Sequence, residues 1–228
     1  SNIDQVFLLI TTDNPPTSTS FIDRFLVTAE AYGIKAVLLF NKMDIYNHER
    51  EILVEDLTQT YSKIGYDYLK ISAKKGINLN VLKFIMKDKT SMFSGHSGVG
   101  KSTLVNAIEP ALNLKTKAIS EMHQQGQHTT TFAQMFDLSF GAQIIDTPGI
   151  KGFGVVDMDS AELDQYFPEM FVIKPKCKFH NCQHLHEPQC AVKVAVDAGL
   201  IAASRYKSYL QILEGEDANY RTDSYDSQ

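Results

Sequence analysis

This 228-residue sequence has no apolar run near the roughly 18 residues that a membrane helix requires. Its longest apolar stretch, residues 36–40, is strand-sized. No basic stretch followed by an apolar core opens it, so no secretory signal is expected and the cell interior is the expected compartment. A general positive excess is also missing. The 22 Lys and Arg stand against 27 Asp and Glu, giving a formal net charge of −5. That balance excludes a surface built as a nucleic-acid glove and leaves a local patch, with Lys174, Lys176 and Lys178 the candidates. Cysteine is scarce, with only three residues, all within 177–190. A disulfide would leave one over, and in a reducing compartment three clustered thiols read as ligands of one metal site. There is no internal repeat and no low-complexity segment.

At 43% hydrophobic and 21% charged residues, the chain has the composition of a globular protein. Its length suits one α/β domain and a smaller appendage. Short apolar runs predict strands over 6–10, 35–40, 68–71, 90–93, 132–138 and 143–145. Between them, Phe21, Phe25, Leu26 and Ala29 space like one apolar helix face, and Ile52, Leu53, Leu57 and Tyr61 like another. Leu79, Leu82, Phe84 and Ile85 suggest a third, weaker helix. Residues 11–20, with Pro15 and Pro16 among Ser and Thr, read as a loop. Alternating strands and helices predict a mainly parallel sheet with ligands at the carboxyl ends of its strands. From about residue 154 the pattern changes to a short acidic helix over 160–167, a Cys/His segment, helices over 192–198 and 201–213, and a polar tail.

Each motif that carries chemistry follows an expected strand. Gly95, His96, Ser97, Gly98, Val99, Gly100, Lys101 and Ser102 read G-x-x-x-x-G-K-[ST], a loop whose amides cradle phosphates. Lys101 brings the compensating charge, Ser102 can reach Mg²⁺, and Thr103 continues into an apolar helix. A chance glycine-rich turn is the bland alternative. Asn41, Lys42, Met43 and Asp44 read N-K-x-D, and a carboxylate at Asp44 can accept from guanine N1–H and its exocyclic amine. Adenine offers neither donor, so the acid would be left unpaired. Ser72, Ala73 and Lys74 form a second loop whose Ala73 amide can meet guanine O6. Asp146, Thr147, Pro148 and Gly149 supply a carboxylate for Mg²⁺ through water and an amide for a γ-phosphate. Residues 126–131 can act as a first switch, with Thr130 or Thr131 completing the Mg²⁺ shell and His128 orienting water. For His128, an ordinary surface histidine is an equal alternative. Ile150 stands where classical GTPases carry a water-orienting glutamine, so hydrolysis must use another group or a partner.

Cys177, Cys182, His184 and Cys190 offer three thiolates and one imidazole, a closed tetrahedral set for structural zinc. His180 and His186 are alternatives to His184. The guanine motifs precede the phosphate loop, the reverse of the usual GTPase order, so the chain reads as circularly permuted.

The motif order, the loop G-H-S-G-V-G-K-S, H-T-T-T, D-T-P-G followed by an aliphatic residue, and C-x4-C-x-H-x5-C together resemble one bacterial family. It is that of the circularly permuted GTPases dependent on the small ribosomal subunit. The resemblance runs from about Asp4 to near Tyr220. It implies an α/β P-loop NTPase fold with permuted motif order and a doubly wound, mostly parallel sheet over residues 1–153. A small α-helical zinc-binding domain with a polar tail follows over 154–228. It further implies GTP and GDP binding with Mg²⁺, one structural Zn²⁺ per chain and a water-positioning role for His128. The small subunit and its rRNA are the implied partners, a membrane is not, and a monomer is expected. The family carries an OB-type β-barrel ahead of the GTPase region, and this sequence begins at a GTPase strand, so weakened rRNA binding is expected of these residues alone. Two alternatives remain: a P-loop ATPase using the same cradle, and a non-catalytic zinc-stabilised RNA- or protein-binding module.

Overall fold

The computed structural model describes residues 3–113, 134–146 and 160–215. They build one sheet and, separately, one helical cluster. The sheet holds β1 (Gln5–Ile10), β2 (Lys35–Phe40), β3 (Asp67–Lys70), β4 (Thr90–Ser94), β5 (Gln134–Leu138) and β6 (Ala142–Asp146). Their order is β3-β2-β1-β4-β6-β5, and every pairing is parallel except that of β5 with β6. All residues of β1, and all of β2 after Lys35, are buried. Strands covered on both faces read as unbroken apolar runs, which is why QVFLLI and KAVLLF show no alternation.

The helices are α1 (Thr19–Ala31), α2 (His48–Ile64), α3 (Leu79–Met86), α4 (Lys101–Ile108), α5 (Pro168–Ile173), α6 (Ala191–Asp197) and α7 (Ala203–Leu213). In α2, Asn47 caps the start by accepting from the Arg50 amide at 3.0 Å, with Glu49 and Glu51 in the first turn and Lys63 in the last. Each charge complements the helix dipole at its own end. One core packs Phe7, Leu9, Val37 and Leu39 of the sheet against Leu79, Leu82 and Met86 of α3 and Leu104, Val105 and Ile108 of α4.

Two expected helix faces are corrected. In α2 the buried residues are Val54, Thr58 and Tyr61, while Ile52 and Leu53 are exposed. Thr58 tolerates burial because its hydroxyl donates to the Glu55 carbonyl at 2.9 Å. In α3 the stripe is Leu79, Leu82 and Met86, and Phe84 is 81% exposed. Two turns of helix present only one narrow stripe at i, i+3 and i+7, and Phe84 falls off it. The acidic helix expected over 160–167 is instead a turn and a 3-10 segment, Leu163–Tyr166. Pro168 disfavours helical backbone at Phe167, which is extended, so a helix cannot run through this point.

Contacts divide the chain into two compact units. The first is Ser1–Thr17 with Tyr32–Gly154; the second is Ser18–Ala31 with Val155–Gln228. A division at 153/154 would leave α1 with the sheet, whereas its contacts group it with the carboxy-terminal helices. There Val27 joins Leu163, Phe167, Met170, Val192, Ile201 and Tyr209 in a core that includes Cys182 and Cys190. Arg205 of α7 is fully buried in that unit, pairing with Glu169 of α5 at 2.7 Å and Asp23 of α1 at 2.9 Å. Its guanidinium also lies 4.6 Å from the Phe167 ring centroid.

Candidate nucleotide site and metal centre

β1 and β2 are in register from Gln5 opposite Lys35 to Ile10 opposite Phe40, so the loops after them leave the sheet at one edge. The phosphate loop leaves the same edge after β4. Gly95 has φ +140°, and a Cβ there would stand 2.7 Å from the Leu9 carbonyl oxygen. Gly100, at φ +101°, caps α4, and a Cβ there would meet Asn41 Nδ2 at 2.6 Å. Both positions therefore require glycine for space as well as for backbone conformation.

Asn41 is the pivot. It is 2% exposed; its Nδ2 donates to the Val99 carbonyl at 2.8 Å, and its Oδ1 accepts from the Ala73 amide at 3.0 Å. One side chain thus ties the phosphate loop to both guanine loops. Asp44 accepts from the Ser72 hydroxyl at 2.5 Å, and Ser72 in turn accepts from the Lys75 amide at 3.0 Å. The Met43 amide donates to the Ile71 carbonyl at 3.2 Å. Lys42 takes left-handed backbone at φ +66°. Burial holds its ammonium below the usual lysine range, against the opposing pull of Asp13. Ala73 is buried and Lys74 exposed.

Lys101 donates to the carbonyls of Gly95 at 2.6 Å and His96 at 2.8 Å, so its ammonium spans the mouth of the loop. Burial, then the Lys101 charge, push the His96 imidazole down, which keeps it neutral beside that cation. Val99 is buried under the loop, Ser97 and Gly98 are exposed, and Ser102 and Thr103 sit in the first turn of α4. Asp146 ends β6. Gly149, His128, Thr130 and Thr131 lie outside the described residues.

In the second unit, Cys177, Cys182, His184 and Cys190 place their donor atoms within 4.8 Å of one another. His184 Nδ1 is 3.8, 3.4 and 3.3 Å from the sulfurs of Cys177, Cys182 and Cys190. A zinc tetrahedron with its usual bond lengths has nitrogen–sulfur edges of about 3.6 Å, so the donor set fits. His180 and His186 are exposed. His184 Nε2 faces the Asp164 carboxylate at 3.1 Å, which Lys174 also approaches at 2.6 Å. A carboxylate on that nitrogen fixes the tautomer that leaves Nδ1 free to ligate. Further supports hold the ligand loop. The Tyr206 and Tyr209 hydroxyls donate to the carbonyls of His184 at 2.6 Å and Gln183 at 2.8 Å. Glu187 accepts from the Gln183 and Leu185 amides at 2.7 and 2.8 Å.

A sequence profile of the RsgA GTPase family matches residues 1–156. The chain belongs to the RsgA GTPase family. It is 66% identical over 225 residues to the small ribosomal subunit biogenesis GTPase RsgA of Christiangramia forsetii, covering 99% of this chain and 71% of that protein. The corresponding protein of Flavobacterium psychrophilum is 62% identical over 228 residues, covering 99% and 69%. Among solved structures, YjeQ from Thermotoga maritima matches with a TM-score of 0.81 and 41% identity over 94% of this chain and 71% of its own. YloQ, titled a circularly permuted GTPase, matches at 0.77 and 33% over 98% and 71%.

The permuted motif order of this RsgA-family chain has a direct topological form. The guanine loop follows β2 and the phosphate loop follows the later strand β4, with β1 between them in the sheet. Sequence reasoning missed the residues that brace these motifs: Thr12, Asn14, Tyr46 and Arg50 near the guanine loop, and Asp164, Glu187, Tyr206 and Tyr209 near the thiols, while Lys174, singled out only for a basic patch, pairs with Asp164. None belongs to a short pattern. Only the loop composition of residues 11–17 gave a signal, and it pointed to a turn.

Proposed function

We propose that this chain is a GTP phosphohydrolase of small-ribosomal-subunit maturation, that its phosphate and guanine loops hold GTP and GDP, and that the subunit activates hydrolysis. The Asn41 side chain carries this reading. Through its bonds to Val99 and Ala73, a guanine reader and a phosphate cradle form one rigid constellation. A nucleotide spanning the two would have its base at Asp44 and Ser72–Lys74 and its phosphates on the amides of residues 95–103.

Mg²⁺, held by Ser102 and Asp146, would supply charge neutralisation at the β- and γ-phosphate oxygens. Lys101 gives up its two loop carbonyls for phosphate oxygens and stabilises the negative charge of the transition state as water attacks in line. Ile150 cannot orient that water, so His128 or a group brought by the subunit performs this step. Thr130 or Thr131 completes the switch when a γ-phosphate is present. The three thiols and His184 would hold one structural zinc, with no position left open for a substrate. No helix among the described residues is long and apolar enough to cross a membrane. A monomer working on the ribosome in the cytoplasm is part of the same proposal.

The test is single-turnover GTP hydrolysis with and without purified small subunits, with Lys101→Ala as control. Stimulation by the subunit that the variant loses supports the reading. Equal rates with and without subunits remove the subunit as activator.

A further inference from the structure

β1 lies between β2 and β4 in the sheet, so the loop that follows it emerges between the guanine loop and the phosphate loop. This loop is closed on itself. The Thr11 amide donates to the Thr17 hydroxyl at 3.2 Å, the Thr11 hydroxyl to the Pro15 carbonyl at 2.6 Å, and the Thr17 amide to the Thr11 carbonyl at 2.8 Å. Such a loop can act as a strut rather than a tether.

Its contacts with the guanine side are unusually complete. The Thr12 amide donates to the Tyr46 hydroxyl at 3.0 Å, and that hydroxyl donates onward to the Asn41 carbonyl at 2.8 Å. Arg50 Nη1 donates to the Thr12 carbonyl at 3.2 Å, and Lys42 Nζ donates to the Asn14 carbonyl. Three side chains from the N-K-x-D segment and the start of α2 thus grip one short stretch of backbone. Toward the phosphate loop, the Pro15 ring lies over Gly98: a Cβ built on Gly98 would stand 3.3 Å from Pro15 Cδ.

We propose that Tyr46 is a positioning residue for guanine recognition, clamping the N-K-x-D loop to the Thr12 peptide so that Lys42 and Asp44 meet the base at a fixed height. The inference rests on the guanine-nucleotide reading of the site. The Tyr46 hydroxyl bridges Asn41 and Thr12, acting as donor to the first and acceptor from the second. Burial pushes its ionisation up, so it stays protonated and can serve in both roles. Phenylalanine would keep the ring and strand two backbone groups of the buried residues Thr12 and Asn41. The phosphate loop has a brace of its own, Lys101 on the Gly95 and His96 carbonyls, and reaches the clamp through the Asn41 side chain. The clamp therefore acts more on the base than on the phosphates.

Calorimetric titration of the full chain with GDP, ADP and inorganic pyrophosphate tests this on wild type, Tyr46→Phe and Arg50→Ala. Tyr46→Phe is expected to weaken GDP about tenfold, the size of effect that orphaned backbone groups produce. Pyrophosphate binding is expected to fall by much less than GDP binding, KM for GTP rises, and kcat at saturation stays close to wild type. Arg50→Ala moves GDP binding in the same direction by less. Equal losses for GDP and pyrophosphate, or no loss for either, would overturn the proposal. Wild type that fails to prefer GDP over ADP would defeat the guanine reading itself and the inference with it.

Discussion

The nucleotide site and the thiol cluster are assembled in opposite ways. In the first unit the N-K-x-D loop and the phosphate loop continue the buried strands β2 and β4, the Ser72–Lys74 loop continues the exposed edge strand β3, and the loops are joined by Asn41 and Ser72. In the second unit the four donors come from one segment, residues 177–190, with no strand; Cys177 ends a 3-10 turn, Lys174–Lys176, and Cys190 caps α6. Buried polar groups around it brace its loop, and a bound metal would add order of its own. One site is shaped by the sheet; the other, on the reading proposed above, would be organised by its metal.

That contrast predicts that the two sites fail separately. Metal removal has the largest effect. Chelation, or Cys182→Ser, should unfold much of residues 160–215, because structural zinc in such sites contributes on the order of 10–16 kcal/mol at neutral pH. GDP should still bind the first unit, which calorimetry and hydrogen exchange on the same sample would check. Retained protection across 160–215 after chelation would break the comparison. The pH dependence follows from the thiols. Burial pushes Cys182 up to about 12 and raises Cys190 as well when no metal is present. At pH 6–8 these groups carry protons that a metal must displace, so affinity should fall as pH falls, about tenfold per unit for each displaced proton. Competition with a chromophoric chelator across that range reads the slope.

Next in size is the ion triad of the second unit. Arg205→Ala leaves Asp23 buried without its guanidinium and should cost about 3–5 kcal/mol in denaturant unfolding. GDP affinity should be unaffected. Comparable in free energy, but confined to the first unit, Lys101→Ala should slow single-turnover hydrolysis by about 10³-fold or more. Its unfolding profile should match wild type. The smallest effect is expected from Asp164→Asn, which weakens the hold on His184 Nε2 and should lower zinc affinity about 10–100-fold without unfolding the unit at saturating metal.

The elements legible in the sequence are those whose cause is local. The expected strand over 35–40 is β2 in full, because a doubly covered strand is marked by its own apolar run, and that over 90–93 is one residue short of β4. The phosphate loop, the guanine loops and the thiol set are contiguous patterns, so chain connectivity alone brings each one's members together. The helix faces were less legible. Ile52 and Phe84 look like core residues by type, yet both are exposed, and Thr58 lies buried in their stead. Burial of a helix residue depends on where neighbouring elements stand, which residue spacing within eight to seventeen positions does not encode. The 3-10 turn at Leu163–Tyr166 was hidden for a similar reason, with Asp164 turned inward to His184 and Lys174.

What the sequence by itself determined is the chemistry available: a phosphate cradle, a guanine reader, a set of soft metal ligands, and the order in which they occur along the chain. Only the tertiary structure decided how these are braced. Asn41 reaches 58 residues to Val99, Tyr46 reaches 34 to Thr12, and Arg205 reaches 182 to Asp23. It also decided that α1, which follows β1 in the chain, packs with the carboxy-terminal helices. The physical reason is one of range. Motifs are written by neighbours along the backbone, whereas the hydrogen bonds that hold them in register join groups that only a finished fold brings within 3 Å.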